Sequence, residues 1–350
     1  MFLVAGLVLS WIATVLLRRV APAIGLIDSP GGPNGRKTHA APTPVVGGLG
    51  IAAGLAAGLA LTGAAAGAPP ALAAAMLAIV ALGAADDRFD LPKALRFAVQ
   101  IAVGIAVARA AGVHELPFVA TALGAAVPAP LALLAAGVAV AALINAVNWL
   151  DGMDGFLGAL ALVSLTVLLY FLAGTGNGFL VALLALTAGA VVTFLGFNLR
   201  RPGRTRAAVF LGDAGSGLIA VILGYAMLAV ARTEAVDPLV MVGAGNGIFF
   251  ADMAFVMGLR ILTHGRPWQC DRTHLHHRLT DRGLGVTETV LVAASAHAVF
   301  MSIQARAVAP ESGLALPVAL ALACVTAAVI AGRRTALDRA RPGQRGTAGR

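Results

Sequence analysis

Residues 2–17, FLVAGLVLSWIATVLL, run straight into Arg18-Arg19, with no basic residue ahead of them. An apolar run of about 17–25 residues is what a helix needs to cross a bilayer. A secretory signal carries its positive charge before the apolar stretch, and here the charge follows. The reading is an uncleaved membrane anchor whose N-terminus lies outside and whose arginines lie inside, because Lys and Arg concentrate in cytoplasmic loops.

Ten further apolar runs follow at 44–62, 70–85, 96–111, 129–147, 156–173, 178–197, 214–231, 238–262, 287–306 and 315–332. Of the 25 Lys and Arg residues, all but Arg109, Arg232 and Arg306 fall in alternate gaps between these runs. They lie around Arg18–Lys37, Arg88–Arg96, Arg200–Arg206, Arg260–Arg282 and Arg333–Arg350, and the Asn145–Gly155 gap belongs to the same set but carries acids. The alternation predicts an all-α polytopic membrane protein with about eleven transmembrane helices, N-terminus outside and C-terminus inside. Residues 118–128 are read as not crossing, since a crossing there would turn every later basic loop outward. The expected organisation is one membrane domain over 1–332 and a basic cytoplasmic tail over 333–350.

Composition agrees with a membrane chain: 59% apolar and 12% charged residues, with a mean hydropathy of +0.89. The formal charge of +9 is explained by topology and does not imply nucleic acid, which would need a soluble basic face. Cys270 and Cys324 offer neither a disulfide framework nor a cysteine metal site. The run Gly243-Ala-Gly-Asn-Gly247 has no strand before it, so it reads as small residues in a packed helix and not as a dinucleotide loop.

Ionisable groups at a membrane edge are costly and mark function. Four inside-facing blocks carry them. Asp86-Asp87-Arg88-Phe89-Asp90 follows the third run, and its adjacent carboxylates repel unless a cation is near. Asn145-x-x-Asn148-x-x-Asp151-Gly-x-Asp154-Gly155 places a polar group at every third position, and its glycines predict that the helix stops and the last carboxylates come from a loop. Phe210-Leu-Gly212-Asp213-Ala-Gly215-Ser216 opens the eighth run. There a carboxylate either holds a hard cation or simply caps the helix. His274-Leu-His276-His277-Arg278 lacks the acid and helical spacing of zinc proteases, and Arg272 and Arg278 would repel a cation, so it reads as a phosphate-binding loop. Aspartates for a divalent metal, basic groups for phosphate and a membrane for a lipid substrate together suit phosphoryl transfer.

These blocks resemble the polyprenyl-phosphate N-acetylhexosamine-1-phosphate transferases, the family of WecA and MraY. Five motifs match in order from Lys37 to Arg278: Lys37-Thr-His39 with Pro42-x-Pro44-x-x-Gly47-Gly48, then the four blocks above. The histidine block is similar to the WecA-type branch. The resemblance implies attack of undecaprenyl phosphate on the β-phosphate of a UDP-sugar, releasing UMP and requiring Mg²⁺ or Mn²⁺, in the bacterial inner membrane, as the initiating step of a cell-envelope glycan. It implies Asp213 as a metal ligand with Asn148 as a second. Asp86 would deprotonate or orient the lipid phosphate, supported by Asp87. Phe210 would stack on uracil, with Asn145, Asp151 and Asp154 in the nucleotide site. Arg96, His274, His276, His277 and Arg278 would hold the diphosphate, with Lys37 a further candidate.

GlcNAc-1-phosphate is the branch's default cargo. Other UDP-N-acetylhexosamines and UDP-MurNAc-pentapeptide are the alternatives, and a monomer and a homodimer both fit. Arg200–Arg206 departs from the pattern by lengthening the loop before Phe210. CDP-alcohol phosphatidyltransferases would need further aspartates just downstream of Asp154, and Phe156–Leu169 contains none. A transporter would place its polar residues in broken helices near mid-bilayer, whereas these cluster at helix ends.

Overall fold

The computed structural model describes residues 1–30, 41–114, 125–172, 176–201, 203–231, 238–264, 273–308 and Thr326. Lys37, the expected span 315–332 apart from Thr326, and the tail 333–350 lie outside them. Among the described residues eleven α-helices follow in order: α1 Phe2–Ile24, α2 Gly47–Leu61, α3 Pro70–Phe89, α4 Lys93–Ala110, α5 Ala129–Trp149, α6 Phe156–Leu172, α7 Gly178–Asn198, α8 Gly212–Ala231, α9 Pro238–His264, α10 Leu275–Asp281 and α11 Val286–Val308. A two-stranded antiparallel pair, β1 Ile27–Asp28 and β2 Thr43–Pro44, follows the C-terminal end of α1.

Helices occupy ten of the eleven expected spans. Among the described residues seven are long and apolar enough to cross a membrane: α1, α3, α5, α7, residues Gly212–Ala229 of α8, Asn246–Thr263 of α9 and Val286–Ile303 of α11. α2 and α6 are apolar but shorter, and α4 carries Lys93, Arg96 and Arg109. The protein is therefore polytopic. Three boundaries differ from the sequence reading. α1 runs on through Arg18-Arg19 to Ile24 and stops at Gly25, whose φ of 74° suits a residue without a Cβ. α3 continues to Phe89, so Asp86 and Asp87 lie in its last turn instead of after it. The histidine loop contains a short helix, α10.

α8 is the axis of the bundle. Leu218–Leu223 and Tyr225–Met227 are buried on every side, as expected of a helix apolar all round. α3, α5, α2 and α9 pack against it. Two close approaches fix its N-terminal end, because a Cβ on Gly48 of α2 would strike the backbone of Gly215, and one on Gly83 of α3 would strike Ala214. Small residues there let three helices meet at Asp213. On the outside, α1 exposes Leu3, Val4, Trp11, Leu16 and Val20. A contiguous apolar face of this kind fits hydrocarbon and not water.

Candidate active site

The end of α8 gathers three of the sequence blocks. Its first residue, Gly212, has φ 75°, and the next N–H, that of Asp213, donates to both carboxylate oxygens of Asp87 at 3.1 Å. Asp213 is therefore not the cap of its own helix. α3 supplies that cap, satisfying an N–H the helix leaves unpaired, and the Asp213 side chain is left free for other work. From α5, Asn148 donates through Nδ2 to Asp213 Oδ1 at 2.6 Å and to Ser216 Oγ at 3.1 Å.

Arg96 enters from the first turn of α4. Its guanidinium forms an ion pair with Asp86 Oδ2 and lies 3.7 Å from Asp213 Oδ2. Asp86 is buried, and its other oxygen accepts from Leu91 N–H at 2.8 Å. Asp90 closes α3 with φ 51°, the one described non-glycine residue in the left-handed region. This sharp stop brings α4 and Arg96 back beside Asp86.

α5 ends at Trp149, and Asp151 and Asp154 come from the loop after it, as the glycines predicted. Burial, then the charges of Asp213, Asp87 and Asp154, hold the Asp151 carboxyl well above the usual carboxylate range. Asp154 pairs with Arg200 at 2.7 Å. The loop is tied down by Asn198, a buried side chain that accepts from Gly155 N–H through Oδ1 and donates to Val209 O at 2.8 Å. Phe210 sits at the crossing of β2 and α2. Its N–H donates to Pro44 O at 2.8 Å, and its carbonyl accepts from Gly47 N–H at 2.9 Å.

The remaining expected residues divide. Asn145 is turned away toward α4, donating to Gln100 Oε1 at 2.7 Å and to Ala141 O at 2.8 Å. His276 reaches the acidic loop: a Cβ on Gly152 would lie 2.6 Å from its Nε2, and its ring is 5.3 Å from that of Phe156. His277 lies beside it at 4.2 Å between ring centroids. Arg278 is stacked on Phe255, 4.3 Å from the ring centre. His274 is enclosed: Nδ1 meets Asp252 Oδ2 at 2.7 Å, Nε2 lies 3.4 Å from Arg260, and Trp149 packs edge-on. Asp252 also accepts from Leu275 N–H at 2.8 Å. Asp252, Arg260, Asn198 and Gln100 escaped the sequence reading. An acid and a base inside the apolar run 238–262 were the available signal, since ionisable groups in such runs are rare without a purpose.

Helices able to cross a membrane, and a patch of carboxylates beside the Arg96 guanidinium where three of them, α3, α5 and α8, end, define a membrane-embedded protein that handles phosphate. Residues 70–231 match the profile described as glycosyl transferase family 4. The undecaprenyl-phosphate alpha-N-acetylglucosaminyl 1-phosphate transferase of Yersinia pestis is 32% identical over 76% of this chain and 72% of its own length. The proteins of the same name from Escherichia coli K12 and Salmonella typhi are each 30% identical over 82% of this chain, covering 77% and 78% of their own lengths. The chain belongs to glycosyl transferase family 4, the polyprenyl-phosphate sugar-1-phosphate transferases.

Proposed function

We propose that the protein transfers GlcNAc-1-phosphate from UDP-GlcNAc to undecaprenyl phosphate in the bacterial inner membrane, releasing UMP, with its five motif blocks on the cytoplasmic side. The printed names of the relatives support the substrates. The observation that carries the reading is the meeting of Asp87, Asn148 and Arg96 on Asp213, which assembles three separate motif blocks into one charged site. In the transfer, an oxygen of the lipid phosphate bonds to the β-phosphorus of the nucleotide. The bridging P–O bond breaks, and its electron pair leaves with UMP.

Among the described residues no three His, Cys, Asp or Glu side chains form a ready cation cage. Mg²⁺ needs none, because one or two carboxylates usually hold it while phosphates and water complete the shell. The side chain of Asp213 is 36% exposed, beside the carboxylates of Asp86 and Asp87. That carboxylate fits Mg²⁺ or Mn²⁺, with Asn148 either positioning it or, turned over, joining it. When bound, the ion would neutralise charge on the diphosphate oxygens.

The other roles belong to the chain itself. Arg96 offers a guanidinium to a phosphate oxygen, and Asp86 holds it there. Both oxygens of Asp86 are engaged, which supports orientation over proton removal. Phe210 provides a ring for the base. His276 faces the loop that carries Asp151 and Asp154, with His277 beside it, and they supply donors to the diphosphate. His274 serves indirectly, as the pinned end of the segment that delivers them. Purified protein with undecaprenyl phosphate and a panel of UDP-sugars should release UMP with UDP-GlcNAc. Folded protein that releases none with any UDP-sugar would overturn the assignment.

A further inference from the structure

Between α6 and α7, at the end where Asn198 closes α7, lies a groove of about 360 Å³. Its wall is apolar, with Leu162, Val192 and Leu195, and its rim is Arg200, Arg201 and Arg204. Basic loops normally need no explanation beyond topology, but this rim is folded. Arg201 and Arg204 exchange backbone hydrogen bonds of 2.9 and 2.8 Å around a turn in which Gly203 has φ 81°. The Nη2 of Arg204 then donates to the carbonyls of Gly196 at 2.7 Å and Leu199 at 2.8 Å, which the end of α7 leaves unpaired.

The charge of this rim is not neutralised. Arg200 is paired with Asp154, but neither Arg201 nor Arg204 has an acidic partner among the described residues. The Nε of Arg204 is shielded from solvent and meets no acceptor there. Burial, then the like charges of Arg201 and Arg18, lower the pKa of the Arg204 guanidinium from its usual value.

We propose that this groove binds an anionic glycerophospholipid of the surrounding bilayer, with an acyl chain along Leu162, Val192 and Leu195 and the headgroup phosphate against Arg201 and Arg204. Charge complementarity names the occupant: basic pockets between helices at a membrane edge take acidic headgroups, and guanidinium pairs well with phosphate. The polyprenyl acceptor is a poorer fit, because the groove contains none of Asp86, Asp87, Arg96 or Asp213. Among the described residues it meets the acidic cluster only through Asp154, which pairs with Arg200 and lies within electrostatic reach of Arg204.

The test uses the full chain in neutral detergent, with lipid retention read by native mass spectrometry and stability by thermal unfolding. Phosphatidylglycerol should be retained and should raise Tm, while phosphatidylcholine should do neither. Arg201→Gln removes charge and leaves the cap from Arg204 in place. Gly196→Leu fills the groove at a position where an added Cβ meets nothing within 4 Å. Each should cut phosphatidylglycerol retention by about tenfold, as for loss of one charge-assisted contact or of the cavity itself, with Tm unchanged when no lipid is added. Equal retention in wild type and both variants would overturn the proposal. So would equal binding of phosphatidylcholine, full reproduction of the Tm shift by inorganic phosphate, or one-for-one displacement of phosphatidylglycerol by undecaprenyl phosphate. The readout is lipid binding, so a failure here leaves the transferase reading standing.

Discussion

The N–H of Asp213 lies 3.1 Å from both oxygens of Asp87, so the helix bearing the candidate metal ligand starts on a carboxylate from another helix, 126 residues away in sequence. A carboxylate at a helix N-terminus satisfies an unpaired donor and complements the helix dipole. Asp87→Ala should therefore lower unfolding stability by about 1 kcal/mol and also remove UMP release, because α8 no longer holds Asp213 in place. Asp87→Asn keeps an acceptor oxygen and should recover most of the stability. Thermal unfolding of the two variants checks this, and equal Tm values for both would remove Asp87 from the capping role.

Asp213 itself should behave differently. Its side chain takes no part in the helix cap, so Asp213→Asn should leave Tm near wild type while abolishing UMP release at ordinary Mg²⁺ and raising the Mg²⁺ needed for any residual turnover. Turnover of this variant at the usual Mg²⁺ concentration would dismiss it as a ligand.

Asn198 bridges two buried backbone groups, Gly155 N–H and Val209 C=O. Asn198→Ala strands both, and a buried group without a partner costs about 1–3 kcal/mol. A loss of roughly 2–6 kcal/mol is expected on that basis, together with weaker UDP-sugar use, since the Asp151–Asp154 loop loses its tether. Thermal unfolding and KM together check this, and an unchanged Tm would contradict it.

Apolar length was enough to place ten helices among the described residues, because it follows from bilayer thickness. The same was true of the stop after Trp149, where Gly152 and Gly155 interrupt the helix. Helix ends were less legible. α3 runs three residues past Asp86 to Phe89 because its final turn, though polar, is held by the site. Nor could the sequence show that Asp87 caps α8 or that Asn145 turns to Gln100, since both depend on which helices become neighbours. The dyad of Asp252 and His274 was missed for the opposite reason. Asp252 was visible inside an apolar run, but it belongs to no motif block, and only the fold shows the ring it holds.

The proposed orientation has a direct test in the loops at the two ends of the bundle. Ala65, between α2 and α3, is exposed on the end opposite Asp213, and Thr205 is exposed in the arginine loop. With Cys270 and Cys324 replaced, an impermeant thiol reagent applied to intact cells should label Ala65→Cys and not Thr205→Cys, and opening the cells should expose Thr205→Cys. The reverse pattern would invert the topology and move the active site outside.

The histidine segment separates a zinc reading from a diphosphate one. The ring of His274 is engaged by Asp252 and Arg260, and no described cluster has the ligands for a tightly held metal. Elemental analysis of the purified protein should therefore find no stoichiometric zinc. His276→Ala and Arg278→Ala should each weaken UDP-sugar use by about tenfold, as expected for loss of a charge-assisted bond worth roughly 1.5–3 kcal/mol. Asp252→Ala should do so by another route. It frees His274 and the N–H of Leu275, loosening the start of α10, so a loss of stability should accompany the rise in KM. Asp252→Asn retains an acceptor for Leu275 N–H and should be milder in both. One zinc per chain, lost in His276→Ala, would end the diphosphate reading. Unaltered kinetics in both His276→Ala and Arg278→Ala would reduce the segment to a structural turn.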